Sequence, residues 1–464
     1  MKTVLKKIFR LPPTVLLLFE LVIIMGILTW IIPAGEFTRE VVNGISMVVP
    51  DSFHRVEQVG MGLFEILSCI PAGFTQNADI ITMFFAMGGS MEIFNSTKTL
   101  ESFTSTVKIT EGRRGLVIVF FLMLFFSIWG AMGQSIPLMF MPIGFSLAKA
   151  LRLDAFCAML MIYLAAYSGF SVGWLAYGTE GIAQTLAGLP MFSGWQPRVI
   201  LHVINFALVF GYTYYYMKRI KKDPTKSLNY GVPNNGFMDG DTKMDVPAFD
   251  LRHKLALLVW AATYAFMFIK AILGGMDTTF MISLMLLQGI AVAIVMGMSS
   301  EEATKKFLKG AGGMVGAMCV LGLAGTMNVV MTDGKILDTM VNWISAPVRS
   351  VGTGVGAIVM LWVNGLLSAI IPSGLGQCVT VMPIMLPVAD LSGISRQVAV
   401  LAYQLGDGFC NNIVPTAWVL VAELEMVKVN YVKYAKWILP LIAVELVIAS
   451  IMLYFLAVSG WTGL

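Results

Sequence analysis

Two glycine-rich polar motifs interrupt the longest apolar stretches of this sequence, and both carry groups that could bind a ligand. Gly133-Gln134-Ser135 lies within residues 115–150, and PSGLGQ (372–377) lies within residues 352–391. Inside a bilayer each unpaired backbone N–H or C=O costs several kcal/mol, so irregular backbone persists only within protein or beside water. Each motif is therefore either a loop between two spans or the tip of a re-entrant hairpin whose backbone acts as a ligand.

A helix with glycines and polar residues in its middle follows each of these stretches. Residues 155–190 carry AAYSGFSVGWLAYGTEG (165–181), and residues 397–425 carry YQLGDGFCNNIVPT (403–416). A broken membrane helix exposes unpaired amides from one half and unpaired carbonyls from the other, which suit carboxylates and cations respectively. We expect the two tips and the two breaks to converge on one substrate- or ion-binding site. Its predicted residues are Gly133, Gln134, Ser135, Ser168, Gly169, Tyr177, Thr179, Glu180, Ser373, Gly374, Gly376, Gln377, Asp407, Gly408, Asn411, Asn412 and Thr416.

Asp407 is the strongest single candidate because it lies between two glycines in an apolar span. An intramembrane carboxylate is costly and usually functional, so we expect Asp407 to bind a substrate amino group or a coupling cation. A coupling Na⁺ could lie near Ser373, Asp407 and Asn411, or H⁺ could be the coupling ion, and no other cofactor is expected. The alternatives are that Asp407 caps a helix, that Glu180 lies near the external end, and that the breaks serve packing alone.

Three other polar residues in apolar stretches are assigned no binding role. His202 is alone on an apolar helix, which predicts a packing residue whose hydrogen bonds are satisfied. Glu423 and Glu445 are expected near the ends of spans or at contacts between helices. The sequence therefore concentrates the candidate site on the tips and the breaks.

The composition is typical of a polytopic helical membrane protein. Of the 464 residues, 57% are hydrophobic and 12% are charged, and the mean hydropathy is +0.80. The net charge of +4 is spread over loops, and no basic run lies beside an aromatic platform that could stack on bases, so nucleic acid is not an expected partner. The five cysteines are scattered without ligand spacing, which argues against a disulfide framework or a metal centre.

Hydropathy predicts an all-α membrane protein with about nine full transmembrane helices and two opposed re-entrant hairpins. The full spans are expected at 14–33, 78–95, 155–176, 197–217, 254–273, 279–298, 312–331, 397–421 and 437–458. Basic residues cluster before residue 14 and at 98–114, 149–152, 218–226, 305–309 and 428–436. The positive-inside rule places these clusters and the N-terminus in the cytoplasm, and the C-terminus outside. Hairpin 115–150 then dips in from the cytoplasmic face and hairpin 352–391 from the external face, with two continuous spans per segment as the alternative.

The two halves of the chain repeat the same motifs in the same order. Gly133-Gln134 matches Gly376-Gln377, MPI (141–143) matches MPI (382–384), and Gly169-Phe170 matches Gly408-Phe409. We therefore divide the chain into a first inverted repeat at 1–217, a solvated cytoplasmic linker at 218–253, and a second repeat at 254–464 with the extra span 254–273. Inverted repeats with broken helices near the midplane are the architecture of secondary transporters.

The same motifs resemble those of a known group of carriers. The block 371–416, which opens with IPSGLGQCVTVMPIMLPVAD, together with IPAGEF (32–37) and GIAQTLAGLPMFSGW (181–195), is similar to the YfcC-type basic amino-acid antiporters. These are grouped with the DcuC dicarboxylate carriers in the ion transporter superfamily, and the resemblance covers nearly the whole chain. It implies a homodimer whose protomers each combine a scaffold with a transport domain that moves as an elevator. The chain departs from the pattern at Tyr177-Gly178, where such carriers have Asn-Pro.

A secondary active transporter of the inner membrane is the function that the sequence favours. An enzyme is not expected, because Gln404 departs from the aspartyl-protease motif and no histidine follows Ser373. No Arg or Lys lies in either tip or broken helix, whereas Asp407 and Glu180 suit a cationic or zwitterionic ligand. We expect amino acids, with basic ones such as arginine and ornithine first, exchanged by elevator-type alternating access. The alternatives are a Na⁺- or H⁺-coupled C4-dicarboxylate carrier and, less favoured, a channel or a membrane-embedded enzyme.

Overall fold

The structure, a computed structural model, describes residues 14–42, 45–49, 52–99, 102–103, 113–133, 137–236, 247–272, 278–371 and 373–463. The helices of the first half are α1 (Thr14–Leu28), α2 (Leu63–Gln76), α3 (Ala78–Ser96), α4 (Arg113–Ala131), α5 (Met141–Ala150), α6 (Ala155–Met159), α7 (Ala165–Phe170), α8 (Ile182–Leu186) and α9 (Trp195–Lys222). Between α1 and α2 lie the strands β1 (Gly35–Glu36), β2 (Arg39–Val42), β3 (Ile45–Val48) and β4 (His54–Arg55), with β1 antiparallel to β4 and β2 to β3.

The helices of the second half are α10 (Leu251–Ile272), α11 (Thr278–Met296), α12 (Ser300–Gly313), α13 (Val315–Asp333), α14 (Leu337–Ser345), α15 (Thr353–Ile370), α16 (Gly374–Leu391), α17 (Arg396–Cys410), α18 (Trp418–Met426) and α19 (Tyr431–Val458). Every stretch that hydropathy predicts as a span contains at least one of these helices. The additional helices α2, α12 and α14 are amphipathic or short, so a search for long apolar runs misses them.

Five described helices are long and apolar enough to cross a membrane by length and composition. They are Arg114–Ala131, Trp195–Lys222, Thr279–Met296, Thr353–Ile370 and Tyr431–Val458. Three of these helices coincide with predicted full spans, whereas Arg114–Ala131 and Thr353–Ile370 are arms of the predicted hairpins. Two other predicted spans are divided into shorter helical pieces; the first broken helix, for example, comprises α6, a π-helical turn (Leu160–Leu164) and α7. The full count therefore stays a prediction.

The second interrupted stretch forms an antiparallel helical pair. The hydroxyl of Thr353, at the start of α15, donates to the backbone oxygen of Ser392, just past α16, at 3.0 Å. Near the tip, the side-chain amide of Gln377 donates to the backbone oxygen of Asn364 at 2.9 Å. Both ends of the segment therefore lie on one side, as a hairpin requires. Two helices that cross the bilayer completely would give the same contacts, so re-entry stays a prediction.

Glycines bring each hairpin against its broken helix in both halves. A Cβ at Gly169 of α7 would lie 1.8 Å from the backbone oxygen of Ser127 on α4. In the second half, a Cβ at Gly406 of α17 would lie 2.5 Å from the backbone oxygen of Leu361 on α15. Only a residue without a side chain permits such an approach. A close glycine contact of the same kind therefore occurs in both halves, and it gives Gly169 a packing role.

Most described residues of the segment after α9 are exposed, but two of its polar side chains are hydrogen-bonded to the helical part of the protein. Asn229 is fully buried, accepts a hydrogen bond from the Phe156 amide at 3.0 Å, and donates to the backbone oxygen of Val427 at 2.7 Å. Ser227 donates to the buried carboxylate of Asp154 at 2.5 Å. These bonds fasten the first part of the predicted linker to the start of α6 and the end of α18. Residues 237–246 lie outside the described part of the chain.

Candidate functional site

The structure interrupts both helices where the sequence predicts breaks. In the first, α7 ends at Phe170, and helical structure resumes with a π-helical turn (Tyr177–Gly181). In the second, α17 ends at Cys410, and α18 begins at Trp418. Helix ends leave backbone carbonyls and amides without intrahelical partners. Each break therefore supplies polar backbone groups inside the apolar protein.

The two breaks cross each other. A Cβ at Gly408 would lie 2.3 Å from the Cα of Ser171, so the backbones are in direct contact at the end of α7. The side-chain amide of Gln404 donates to the backbone oxygen of Phe170 at 2.8 Å, which satisfies a carbonyl at the end of α7. Gly408 is thus a packing residue at the crossing rather than a group that faces a cavity.

Each hairpin tip is joined to a break. At the first tip, the Leu175 amide donates to the backbone oxygen of Ala131 at 3.1 Å, and Gly133 adopts a φ of +83° that suits glycine. Gln134 and Ser135, which are predicted to bind ligand, lie outside the described residues. At the second tip, Thr416 donates to the backbone oxygen of Ala369 at 3.0 Å. The structure therefore brings the described parts of the two tips and the two breaks together.

A cavity of about 350 Å³ opens at the second tip and the second break. Its lining from these segments is Ile371, Ser373, Gly374, Gly376, Asn411, Ala417, Trp418 and Val419, and the first broken helix adds Tyr167 and Phe170. The opposite wall comes from the end of α2 and from α13, through Gln76, Asn77, Leu321, Ala324, Gly325 and Asn328. The volume lies at the low end of the roughly 300–1,000 Å³ of small-molecule pockets.

Two helix N-termini face this cavity. Gly374 and Gly376 belong to the first turn of α16, and Trp418 and Val419 begin α18. Ser373 caps α16, because its hydroxyl accepts a hydrogen bond from the Gly376 amide at 3.2 Å. The N-terminus of a helix attracts anions through its free amides and its dipole. This part of the cavity therefore suits a carboxylate.

The Asp407 carboxylate lies directly behind the second tip. Its side chain is 1% exposed, and a Cβ at Gly374 would lie 3.2 Å from its Oδ2 atom. Oδ1 accepts a hydrogen bond from the Asn411 side-chain amide at 3.1 Å, whereas Oδ2 has no hydrogen-bond partner in the part of the chain that the structure describes. The buried Thr179 hydroxyl beside it is equally unpartnered within those ranges. One carboxylate oxygen and one hydroxyl thus remain for a ligand.

Glu180 lies in an ion pair instead of at the cavity. Its Oε1 atom is 3.1 Å from Nε of Arg198, and both side chains are fully buried. The same oxygen accepts a hydrogen bond from Gln184 at 2.9 Å. The prediction that Glu180 lines the site is therefore corrected: a cation on α9 compensates its charge. Each is an isolated charge in an apolar stretch, a signal that could have suggested the pair.

Ser168 is also turned away from the cavity, into a buried hydrogen-bond chain. Trp174 Nε1–H donates to Nδ1 of His202 at 2.9 Å, so Nε2 of the imidazole carries the hydrogen and donates to Ser127 at 2.6 Å. The Ser127 hydroxyl lies 2.7 Å from that of Ser168, which donates to the backbone oxygen of Ala165 at 2.6 Å. These hydrogen bonds satisfy both ring nitrogens of His202, in agreement with its predicted packing role.

The remaining predicted residues divide between structure and site. Gln377 ties the two arms of the second hairpin together, and Thr416 ties its tip to the break. The backbone oxygen of Asn412 accepts a hydrogen bond from Tyr434 at 3.0 Å. Tyr177 begins the π-helical turn next to Thr179. Of the predicted set, Ser373, Gly374, Gly376 and Asn411 line the cavity directly.

Sequence reasoning missed the amide-bearing wall of the cavity. Gln76 and Asn77 lie where α2 gives way to α3, and Asn328 lies on α13, far from the motifs in sequence. The only feature of the sequence that could have indicated these residues is the presence of amide side chains in apolar surroundings. The aromatic rings of Tyr167 and Trp418 were also outside the predicted set. Together they make the described lining polar and aromatic without a Lys, Arg, Asp or Glu residue.

Comparison with known sequences gives one family and two full-length relatives. The family model described as "DcuC: C4-dicarboxylate anaerobic carrier" matches residues 11–458. A protein of Haemophilus influenzae named only as uncharacterized is 27% identical over 501 aligned residues, which cover 97% of each chain. A protein of Escherichia coli K12, whose name proposes a basic amino acid antiporter, YfcC, is 26% identical over 497 residues, covering 98% of this chain and 97% of that protein.

Solved structures of transport proteins resemble this chain at low sequence identity. The Alcanivorax borkumensis YdaH transporter is 16% identical, with a TM-score of 0.43 over 97% of this chain and 100% of that chain. Neisseria gonorrhoeae MtrF, described as illuminating a class of antimetabolite efflux pumps, is 16% identical, with a TM-score of 0.42 over 98% of this chain and 96% of that chain.

Proposed function

This chain belongs to the DcuC family of C4-dicarboxylate anaerobic carriers and is a membrane transporter, and from that premise we propose that its substrates are amino acids. Basic amino acids such as arginine and ornithine come first, exchanged across the inner membrane. The name of the Escherichia coli relative, which proposes a basic amino acid antiporter, supports this choice. The observation that carries the proposal is the unpartnered Oδ2 atom of Asp407 directly behind Gly374, in the first turn of α16 that faces the cavity.

The two ends of an amino acid match the two kinds of group at the cavity. The α-carboxylate would accept hydrogen bonds from the free amides at the starts of α16 and α18. The α-ammonium would donate to Oδ2 of Asp407, which lies 3.2 Å from a Cβ placed at Gly374. Thr179, whose methyl group lies beside Gly374, carries a hydroxyl that is also unpartnered among the described residues. A charge-assisted hydrogen bond of this kind is about twice as strong as a neutral one. The pairing therefore favours a zwitterion over a ligand with a single charge.

The side chain of a basic amino acid would point toward the opposite wall. Gln76, Asn77 and Asn328 present amide groups there, and the Tyr167 ring lies in the same lining. Amide oxygens accept hydrogen bonds from a guanidinium or ammonium group, and an aromatic face attracts such a cation. A neutral polar wall thus tolerates a cationic side chain without a second carboxylate.

A Na⁺- or H⁺-coupled C4-dicarboxylate carrier is the second candidate, and the description of the family favours it. Two carboxylates in one cavity call for positive partners, and the described lining has none. Arg198 is the nearby buried cation, but Glu180 already compensates it at 3.1 Å. A dicarboxylate would also place a negative charge near Asp407. A coupling Na⁺ between the substrate and Asp407 would remove that conflict, so sodium dependence distinguishes the candidates.

The position of the cavity suits an elevator mechanism. One wall consists of tips and breaks that hydrogen bonds join into a single unit, and the other consists of α2 and α13. If the first unit moved against the second, a substrate held on Ser373 and Asn411 would be exposed to each side of the membrane in turn. We propose the first unit as the transport domain, the second as part of the scaffold, and a homodimer as the assembly.

Exchange in proteoliposomes tests the proposed substrate. Purified protein is reconstituted into vesicles loaded with ornithine, and uptake of radiolabelled arginine is compared with uptake of radiolabelled succinate, with and without Na⁺. We expect saturable arginine uptake that requires internal ornithine and is absent from protein-free vesicles. Succinate uptake driven by Na⁺, without arginine exchange, would replace the first candidate with the second.

A further inference from the structure

Glu423 is a second buried carboxylate on the second broken helix, and the proposed exchange does not use it. It lies on α18 with a side chain that is 0% exposed. Among the described residues, neither of its carboxylate oxygens has a hydrogen-bond partner, and none of the ion pairs involves Glu423. An isolated charge in apolar protein costs several kcal/mol unless it is paired or neutralised. Glu423 must therefore take up a proton or bind a cation.

Three buried tyrosines lie within electrostatic range of the Glu423 carboxylate. They are Tyr163 and Tyr167 on the first broken helix and Tyr434 on α19. The other helices packed on α18, α1 and α13, present the apolar side chains Leu18 and Leu323 in contact with Val421. No basic group opposes Glu423 in the described surroundings.

The hydroxyl hydrogens of two of these tyrosines are already donated elsewhere. Tyr434 donates to the backbone oxygen of Asn412 at 3.0 Å, and Tyr163 donates to that of Asn411 at 3.5 Å. Their phenol oxygens can then only accept a hydrogen bond. A carboxylate also only accepts, so the charged form of Glu423 gains nothing from them. A carboxylic acid has an O–H to donate, and the surroundings therefore fit the protonated form.

A proton is the simplest group that can neutralise Glu423 in these surroundings. A bound cation requires several oxygen ligands. A proton requires one carboxylate oxygen, and it removes the charge that is costly in apolar protein.

Glu423 is linked to the cavity through the first broken helix and the second break. Tyr167 lines the cavity and lies within electrostatic range of both Asp407 and Glu423. Asn411, whose backbone oxygen Tyr163 contacts, lines the same cavity and donates to Asp407. The charge state of Glu423 can therefore influence the substrate site without touching the substrate.

We propose that Glu423 is a proton-binding site that couples substrate movement to a proton gradient. The carboxylate takes one proton from water on the acidic side, becomes a neutral acid, and releases the proton to water on the other side after the transport domain has moved. Glu445 on α19, 3% exposed and also within electrostatic range of Tyr434, lies next along this path. The proposal rests on the proposed transport of amino acids, to which it adds the coupling ion.

The test uses full-length protein in proteoliposomes that contain a pH-sensitive dye. Arginine accumulation driven by a pH gradient and the accompanying change in lumen pH are measured for the parent, Glu423→Gln, Glu423→Asp and Glu425→Gln. Glu425 is a half-buried carboxylate on the same helix and is the matched control. We expect the parent and Glu425→Gln to accumulate arginine and acidify the lumen alike. Glu423→Gln should lose gradient-driven accumulation by at least about tenfold, with a far smaller loss of arginine exchange at equal pH.

Glu423→Asp restores a carboxylate and is expected to recover part of the proton flux, which separates the proton site from a packing role. Parent-like accumulation and lumen acidification in Glu423→Gln would overturn the proposal, as would arginine uptake by the parent without proton movement. If the parent carries no arginine, the proposed function fails, and infrared spectroscopy decides the proton site. Glu423→Gln should then lose part of the carbonyl band of protonated carboxylic acids at neutral pH, and an unchanged band would overturn the assignment.

Discussion

The two broken helices have the same architecture but opposite electrostatics. In the first, the buried charge of Glu180 is compensated by Arg198 at 3.1 Å, and Ser168 lies in a closed hydrogen-bond chain. In the second, Asp407 and Glu423 are buried without a cation, and three of their four carboxylate oxygens are unpartnered among the described residues. The first break compensates its buried charge with a cation, whereas the second leaves buried carboxylate oxygens for a ligand or a proton.

This difference teaches that a structural repeat does not require a repeated function. The matched glycine contacts of Gly169 and Gly406 build the same packing in both halves. The buried charges then diverge, because a compensated pair stabilises a fixed arrangement, whereas an uncompensated carboxylate requires a proton, a cation or a substrate. We therefore expect changes in the first break to alter stability and changes in the second to alter binding.

The largest effect is expected from Gly374→Val at the second tip. A Cβ there lies 2.9 Å from the methyl group of Thr179 and 3.2 Å from Oδ2 of Asp407, and the branched side chain would occupy the proposed ammonium site. Arginine exchange should fall to the background of protein-free vesicles. The control is Gly178→Val in the first break, where a Cβ meets nothing within 4 Å. Exchange at parental affinity in Gly374→Val would make the tip merely a turn.

Arg198→Met should destabilise the protein by about 3–5 kcal/mol, because it leaves Glu180 buried without its cation. Thermal unfolding in detergent, followed by size-exclusion chromatography, measures the shift. The double variant Glu180→Gln with Arg198→Met removes both charges and should regain most of the loss. An unfolding temperature that stays at the parental value in Arg198→Met would refute the structural role assigned to the first break.

Asp407→Asn should weaken arginine binding about tenfold to a hundredfold, since a hydrogen bond to a charged group contributes roughly 1.5–3 kcal/mol. The shape of the side chain is retained, so the unfolding temperature should change little. Arginine-induced thermal stabilisation across a concentration series gives the affinity. For Arg198→Met we expect the opposite: a lower unfolding temperature and an affinity for arginine that changes little. If Asp407→Asn lost stability but kept its affinity, the contrast between the breaks would disappear.

Thr416→Val is expected to have the smallest effect. It removes the hydrogen bond to the backbone oxygen of Ala369, which joins the second break to the second hairpin, at a cost of about 0.5–1.5 kcal/mol. A second tip that is held less firmly against the break should raise the KM for arginine by a few fold and leave the maximal rate nearly unchanged. Thr225→Val, at a solvent-exposed hydroxyl, is the control. Identical kinetics in both variants would show that this bond does not position the tip.

Local chemistry made much of the fold and part of the site predictable from the sequence. Glycine-rich polar motifs in apolar stretches located both tips and both breaks, because backbone irregularity leaves the same signature wherever it occurs in a membrane helix. Asp407 stood out since a carboxylate in hydrocarbon is costly. The structure places Asp407, Gly374 and Asn411 together as that reasoning predicts.

Partners from distant segments could not be predicted from the sequence in the same way. Arg198 compensates Glu180 from the following helix, and only the fold brings the two side chains to 3.1 Å. Gln76 and Asn328 reach the cavity from helices without any motif. Glu423 was expected near the end of a span or at a contact between helices, and its complete burial could not be predicted from the sequence. Pairing and burial depend on tertiary packing, which periodicity does not encode.

The central claim is that Asp407 binds the α-amino group of an amino acid, and a double-mutant cycle on protein and ligand tests it most directly. Isothermal titration calorimetry measures the binding of arginine, and of its analogue without the α-amino group, to the parent and to Asp407→Asn. We predict that the analogue binds the parent about tenfold to a hundredfold more weakly than arginine does, and that Asp407→Asn binds the two ligands almost equally. If Asp407→Asn instead weakened both ligands by the same factor, Asp407 would not contact the amino group and the claim would be contradicted.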